Sequence, residues 1–189
     1  RQMCLSDRPT DLHSSLNLKS SAFYILGEGS NTVFLEDYQG TVIRPAFMGV
    51  DLKHTDTHYF LKVGAGENWH QLVLWCMQNQ IYGLENLALI PGSVGAAPIQ
   101  NIGAYGVEIE QFIHQVDFYD LNKQCHKSLG RQNCEFAYRD SVFKNGLADK
   151  VVITSVTFAI PKIWQAVEHY GELRELSELS AMEIFNKVI

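Results

Sequence analysis

The chain has 189 residues, 46% hydrophobic and 19% charged, which fits one globular domain or two small ones and excludes a disordered or fibrous chain. Fifteen Lys and Arg against twenty-one Asp and Glu leave a formal net charge of −6, so no global basic field exists to hold a nucleic acid. The longest uncharged stretch, 86–107, carries Pro91, Pro98, four glycines, Gln100 and Asn101, which excludes a lipid-facing helix and argues against a membrane partner.

In chain order, the pattern predicts a strand from Gln2 to Leu5, a helix from Asp7 to Leu18 capped by Ser6, and a buried-type strand from Ala22 to Leu26. Together they form a small βαβ unit, with Pro9 in the first turn of the helix where its missing N–H is harmless. The first eighteen residues have no continuous apolar core and contain Asp7, Arg8, Asp11 and His13, so they do not read as a signal peptide and the expected location is the cytoplasm. Arg1 is not an initiator Met. A second unit follows, with Thr41 to Arg44 extended, a strand from Tyr59 to Val63, and a helix from Glu67 to Asn79 whose Trp69, Leu72, Val73, Cys76 and Met77 recur at helical spacing. Strands are expected at Phe112 to Leu121 and Val151 to Ile160, with a short helix or turn around Arg131 to Phe136 between them. Pro161 stops the last strand, and a helix from Ala181 runs to Ile189 without a terminating signal, so the chain is expected to be cut rather than finished there.

Cys4, Cys76, Cys125 and Cys134 contain no Cys-x-x-Cys and read as reduced thiols. His54 and His58 stand four apart, but in a polar turn between strands, and no third ligand is near, so no metal site is expected.

Two segments carry candidate chemistry. Phe23 to Leu26 runs into Gly27-Glu28-Gly29-Ser30-Asn31, the composition of a backbone N–H nest for phosphate. Thr32 stands where a dinucleotide fingerprint needs its third glycine, and no Gly-Lys-Ser/Thr follows, so taken alone this segment is more readily an ordinary tight turn. The run from Pro91-Gly92-Ser93-Val94-Gly95-Ala96-Ala97-Pro98 to Ile99-Gln100-Asn101-Ile102-Gly103-Ala104-Tyr105-Gly106 is more informative. A loop this long and small-sided leaves room for a ligand against its backbone, the competing reading being a loop wedged between subdomains. Together the two loops point to a nucleotide-type cofactor held by backbone amides. Arg139, between Tyr138 and Asp140, could bind a substrate carboxylate or stabilise an enolate; on the residues alone, a salt bridge to Asp140 or Glu135 is the favoured alternative. Tyr170 could equally close over a ligand or pack on the preceding strand.

With Gly64-Ala65-Gly66-Glu67-Asn68-Trp69 and Tyr138-Arg139-Asp140-Ser141 added, these motifs resemble in order, over essentially the whole chain, the UDP-N-acetylenolpyruvoylglucosamine reductases of bacterial peptidoglycan precursor synthesis. The resemblance implies an α+β fold, the FAD-binding domain of the PCMH or vanillyl-alcohol-oxidase type, with two α/β subdomains and FAD between them. Residues 1–45 and 46–162 would be those subdomains, and 163–189 a tyrosine-loop segment leading toward a substrate domain. By resemblance, Gly27, Glu28, Gly29, Ser30 and Asn31 with Gly92, Ser93, Val94 and Gly95 would line the FAD pyrophosphate and ribityl chain. Ala96, Ile99, Ile102, Gly103 and Tyr105 would lie near the flavin, although Ala96 stands where related sequences often have Gly or Ser.

Tyr138 and Arg139 would face the substrate, with Arg139 catalytic, and Tyr170 would touch its UDP part. The implied reaction passes a hydride from NADPH through FAD to the enolpyruvyl double bond of UDP-N-acetylglucosamine enolpyruvate, giving UDP-N-acetylmuramate for the cell wall that sets cell shape and division. The partners implied are NADPH and the UDP-sugar, with a monomer favoured. The proton-donating Ser and second catalytic Glu of the family fall outside these residues, so the expectation is an FAD-binding portion incomplete at both ends and impaired in turnover alone. The alternatives are another PCMH-type flavin oxidoreductase or a non-catalytic FAD-binding fragment.

Overall fold

Three short strands, β1 (Gln2–Ser6), β2 (Phe23–Ile25) and β3 (Thr41–Pro45), pair in parallel with β3 in the middle. The computed structural model describes residues 2–6, 22–167, 173 and 180–189, with backbone alone for 2–6. Thr41 to Arg44, expected with the second unit, is therefore the centre of the first sheet, and Ile43 is fully buried there. β2 is only half-buried because it is an edge strand, where a fully buried strand was expected. The helix expected at Asp7 to Leu18 lies outside the described residues.

The chain then enters an antiparallel sheet through the hairpin of β4 (Val50–His54) and β5 (His58–Gly64). Thr55 closes the turn, its N–H and hydroxyl donating to the His58 carbonyl. His54 and His58 thus end and begin facing strands rather than sharing a helix. The backbone before β4 lies directly on the end of β5: Gly66 N–H donates to Phe47 O, and a Cβ on Gly64 would stand 2.2 Å from that same oxygen. Helix α1 (Trp69–Gln78) follows. It is shorter than the expected 67–79 because the Asn68 side chain accepts from Gln71 N–H and caps it. Trp69, Leu72, Val73, Cys76 and Met77 form its buried stripe, with Trp69 edge-on to Phe158 and its Nε1–H donating to Leu87 O.

After the small-residue run, which folds a two-stranded ribbon of β6 (Gly103–Ala104) and β7 (Val107–Glu108), come β8 (Ile113–Asp120), β9 (Cys125–Gly130) and β10 (Val151–Pro161). The large sheet runs β4-β5-β10-β8-β9, so the most apolar strand is central. The turn expected around Arg131 is a short 3₁₀ turn at Arg131–Asn133. Helix α2 (Ala181–Val188) opens with a capping box between Ser180 and Glu183 and buries Ala181, Ile184 and Phe185. No described helix is long and apolar enough to cross a membrane.

Asp117 cross-links four strands. Its carboxylate pairs with Lys62 at 2.9 Å and accepts from Ser128, Ser155 and Gln115. Partial burial opposes its charge, but the donors from Ser128, Lys62, Ser155 and Gln115 outweigh it and hold its pKa down at about 2, from 3.8. A depressed carboxylate pKa contributes stability that is present above the unfolded value and lost as pH falls through the folded one. Asp117→Asn is therefore expected to cost about 1–2 kcal/mol near neutrality. In urea titrations the gap to the parent should close between pH 4 and 2; a gap unchanged across that window would show that the charge is not the cause.

Candidate functional site

The two small-residue loops face each other across the junction of the two sheets. Gly27, which follows β2, comes so near the second loop that a Cβ there would meet Ser93 Oγ at 3.1 Å and Ala96 Cβ at 3.6 Å. Gly92 (φ +125°) returns the approach, its Cβ position lying 3.3 Å from Ser30 Oγ. Two clefts open from this contact and share Ser93 and Ala96 as a common wall. One, of about 290 Å³, runs between Tyr24, Ile25 and Gly27 on one side and Phe143, Leu147 and Ile153 on the other. The second, of about 320 Å³, is bounded by Ser30, Asn31, Trp69, Ile102 and Arg139.

The Gly27–Asn31 loop is held in place from the N-terminus of α1. Both Glu28 carboxylate oxygens accept from Asn68 Nδ2 at 2.9 Å, so the side chain that caps α1 also anchors this loop. That contact turns the one acidic side chain of the loop onto a donor. The backbone N–H groups of Gly27 through Asn31 donate to no acceptor among the described residues, which leaves them open to solvent or to the oxygens of a ligand. A cradle of glycines and small side chains between one mainly apolar cleft and one of mixed polarity has the shape for a long dinucleotide.

The second loop is packed rather than loose. It makes a 3₁₀ turn at Val94–Ala96, and Val94, Gly95, Ala97, Asn101 and Ile102 are buried. Gly95 N–H donates to Ala65 O at 2.9 Å, and a Cβ at Gly95 would stand only 2.6 Å from Ala65 Cβ. The segment is wedged, as the competing reading has it, with its bulk-free backbone pressed on α1's lead-in, and its other side lines both clefts.

Arg139 sits at the tip of a tight turn closed by reciprocal backbone bonds between Ala137 and Asp140, each 3.1 Å. Its guanidinium donates to Gly103 O at 2.7 Å, not to Asp140 or Glu135, which corrects the favoured salt-bridge alternative. Asp140 instead accepts from Asn145 Nδ2. Arg139 has φ +54°, a conformation that costs a non-glycine residue about 1 kcal/mol and persists only where the surroundings enforce it. Tyr138 is 81% exposed beside it.

Of the residues singled out from sequence, Gly27, Ser93, Gly95, Ala96 and Ile99 line the first cleft, and Ser30, Asn31, Ser93, Ala96, Ile102 and Arg139 the second. Glu28, Gly29, Gly92, Val94, Gly103, Tyr105 and Tyr138 line neither; Val94 is fully buried core. Tyr170 lies outside the described residues. The first-cleft wall from Phe143 to Asp149 was missed, because a run of turns with mixed polarity carries no periodic signal. The adjacent pair Glu85 and Asn86 was missed too. Both are buried; Glu85 accepts from Trp164 Nε1, while Asn86 Nδ2 donates to both Tyr105 O and Val167 O. Burial, with the Glu85 charge adding to it, pushes the Cys76 thiol up to about 12, and burial raises Cys134 to about 11, so neither is a nucleophile near neutral pH.

A sequence family described as FAD binding domain matches residues 14–126. A UDP-N-acetylenolpyruvoylglucosamine reductase of Pseudoalteromonas atlantica is 54% identical over 167 residues, covering 88% of this chain and 48% of the relative. One from Idiomarina loihiensis is 48% identical over 184 residues, covering 95% of this chain and 55% of the relative. The chain thus spans about half the length of the curated relatives it matches. In fold it matches the crystal structure of a Thermus caldophilus UDP-N-acetylenolpyruvylglucosamine reductase with TM-score 0.72 at 23% identity, covering 98% of this chain and 60% of that one. Cholesterol oxidase from Brevibacterium sterolicum matches at TM-score 0.60 and 14% identity, over 84% of this chain and 34% of the oxidase. These likenesses establish the PCMH-type α+β architecture.

Proposed function

We propose, from the premise that this chain belongs to the FAD-binding domain family, that it is the flavin-holding part of a UDP-N-acetylenolpyruvoylglucosamine reductase. The relatives that match most of its length carry that name at about half identity. The observation that carries the reading is that Arg139 opens into the same cleft as Ser30, Asn31 and Ala96, so a cation for an acidic substrate adjoins the small-residue loops.

In this reading residues 1–45 and 46–162 are the two halves that close on FAD, and 163–189 leads toward the substrate. Gly27, Gly29, Ser30 and Asn31 present backbone N–H groups to the diphosphate, and Glu28 holds that loop onto Asn68. Ser93, Gly95 and Ala96 form the wall common to both clefts, and Ile99 and Ile102 give apolar surface on either side of it. Bound there, FAD would supply the hydride-transfer chemistry, with NADPH as the donor.

Arg139 keeps one guanidinium nitrogen on Gly103 O, which leaves its remaining N–H groups for the enolpyruvyl carboxylate and for the negative charge that develops as the double bond accepts hydride. Tyr138 and Tyr170 contact the UDP-sugar. The product is UDP-N-acetylmuramate, for peptidoglycan precursor synthesis in the cytoplasm, by a protein acting as a monomer.

The test is retention of flavin. Purified chain mixed with FAD and passed through gel filtration at neutral pH is expected to emerge yellow and stoichiometrically loaded. Elution of colourless protein with all flavin in the small-molecule fraction would overturn the reading.

A further inference from the structure

We infer that Asn101 is a positioning residue for Arg139, a buried tie that fixes the Ala137–Asp140 turn against the small-residue loop; this rests on the proposed role of Arg139. Asn101 is fully buried and has φ +44°, in the left-handed region that asparagine tolerates better than most residues. Its side chain meets three groups on two segments, the Ala137 turn and the stretch from Glu108 to Glu110. Nδ2 donates to Ala137 O at 3.1 Å and to Glu108 Oε2 at 2.8 Å, and Oδ1 accepts from Glu110 N–H at 3.1 Å. Both amide hydrogens and the oxygen are engaged, so the site is matched to an amide and not to a carboxylate. A carboxylate here would face that of Glu108 with no proton to share.

The tie is the inner member of a set. Ser141, also fully buried, donates from Oγ to Ile99 O at 2.7 Å and accepts from Phe143 N–H at 3.1 Å. Arg139 itself donates to Gly103 O, and Lys144 Nζ to Arg139 O at 2.8 Å. The turn is thus gripped on its entering side by Asn101, on its leaving side by Ser141, and at its tip by its own guanidinium. All three grips land on residues 99–103, the stretch from which Ile99, Gln100 and Ile102 line the clefts. This over-determination is what a strained arginine backbone needs in order to persist. It places the guanidinium without touching it.

The test uses amide hydrogen exchange on the chain with Asn101→Ala, Asn101→Asp and Ser141→Ala. If Asn101 holds the turn, exchange at the Ala137 and Asp140 amides rises about tenfold, while amides of β10 keep their protection within about twofold. An equal rise across β10, or no rise at Ala137 and Asp140, overturns the inference. Should Asn101→Ala fail to fold, the isosteric Asn101→Asp gives the same comparison, and Ser141→Ala is expected to raise Asp140 exchange on its own.

A second arm reads the flavin band of FAD-loaded chain as UDP-N-acetylglucosamine enolpyruvate is added. Asn101→Asp should weaken the response of the parent about tenfold but add nothing in an Arg139→Ala background. An undiminished or fully additive effect overturns the inference. A parent chain whose flavin ignores the substrate would instead sink the proposed function, and the exchange comparison still decides on Asn101.

Discussion

Arg139→Ala, in an enzyme extended to the full length of its relatives, is expected to lower turnover about 10²- to 10³-fold while leaving FAD affinity within about twofold, the loss typical of removing one preorganised donor to a developing negative charge. The expectation follows from where the guanidinium stands. One nitrogen is engaged with Gly103 O, on the loop that walls both clefts, and the group faces the cleft beyond Ser30, Asn31 and Ala96. Its contribution is charge and direction at the substrate's reacting end, which enters turnover and not cofactor binding. Alanine occupies the same positive φ, so the backbone strain is unchanged and the Gly103 contact is the structural loss, about 1 kcal/mol. Lysine keeps the charge but not the planar fork and should recover only a part of the activity. Equal losses in turnover and in FAD affinity, measured by steady-state rates beside flavin titration, would make Arg139 a brace for the loop.

Gly95→Ala is expected to do the reverse, weakening FAD binding about tenfold or more and lowering the thermal midpoint, because overpacking of this kind costs about 1–3 kcal/mol. The added carbon would stand 2.6 Å from Ala65 Cβ and 3.0 Å from Ala65 O. Neither is the end of a flexible side chain, so the 3₁₀ turn at Val94–Ala96 must lift off the segment between β5 and α1. The Gly95–Ala65 hydrogen bond stretches with it, and Ser93 and Ala96 leave the place where both clefts meet. Gly146→Ala is the control: its new carbon would be 3.7 Å from Val142 Cγ2, an ordinary contact. Calorimetric FAD titration of the two variants separates them; equal affinities would show that the loop gives without moving the site.

What was legible in the sequence tracks how much of each element is buried on one side. α1 and β10 carry their apolar residues at a fixed period, and they stand within two residues of where the pattern put them. β4 was not legible because every one of its residues is exposed, and β9 because most of its residues are; an edge strand without a buried face has no alternation to read. The small-residue loops were legible as loops that something must press against. Which atoms press was not: Gly27 against Ser93, Arg139 on Gly103 O and Asn101 on Ala137 O join residues 36 to 66 positions apart. Arg139 was read toward its sequence neighbours Glu135 and Asp140, the partners a linear view offers, and the fold supplied a carbonyl from across the site. The wall from Phe143 to Asp149 has the composition of any surface turn, and only its place opposite Tyr24 and Ile25 gives it a role.

The most direct test of the reductase reading is a titration of the FAD-loaded chain with UDP-N-acetylglucosamine enolpyruvate, followed by the flavin difference spectrum, with UDP-N-acetylglucosamine as the comparison. A saturable change is expected with the enolpyruvyl compound, much weaker without its carboxylate and lost in Arg139→Ala. No change with either compound, or the same change with both, would contradict the assignment of this cleft to an enolpyruvyl UDP-sugar.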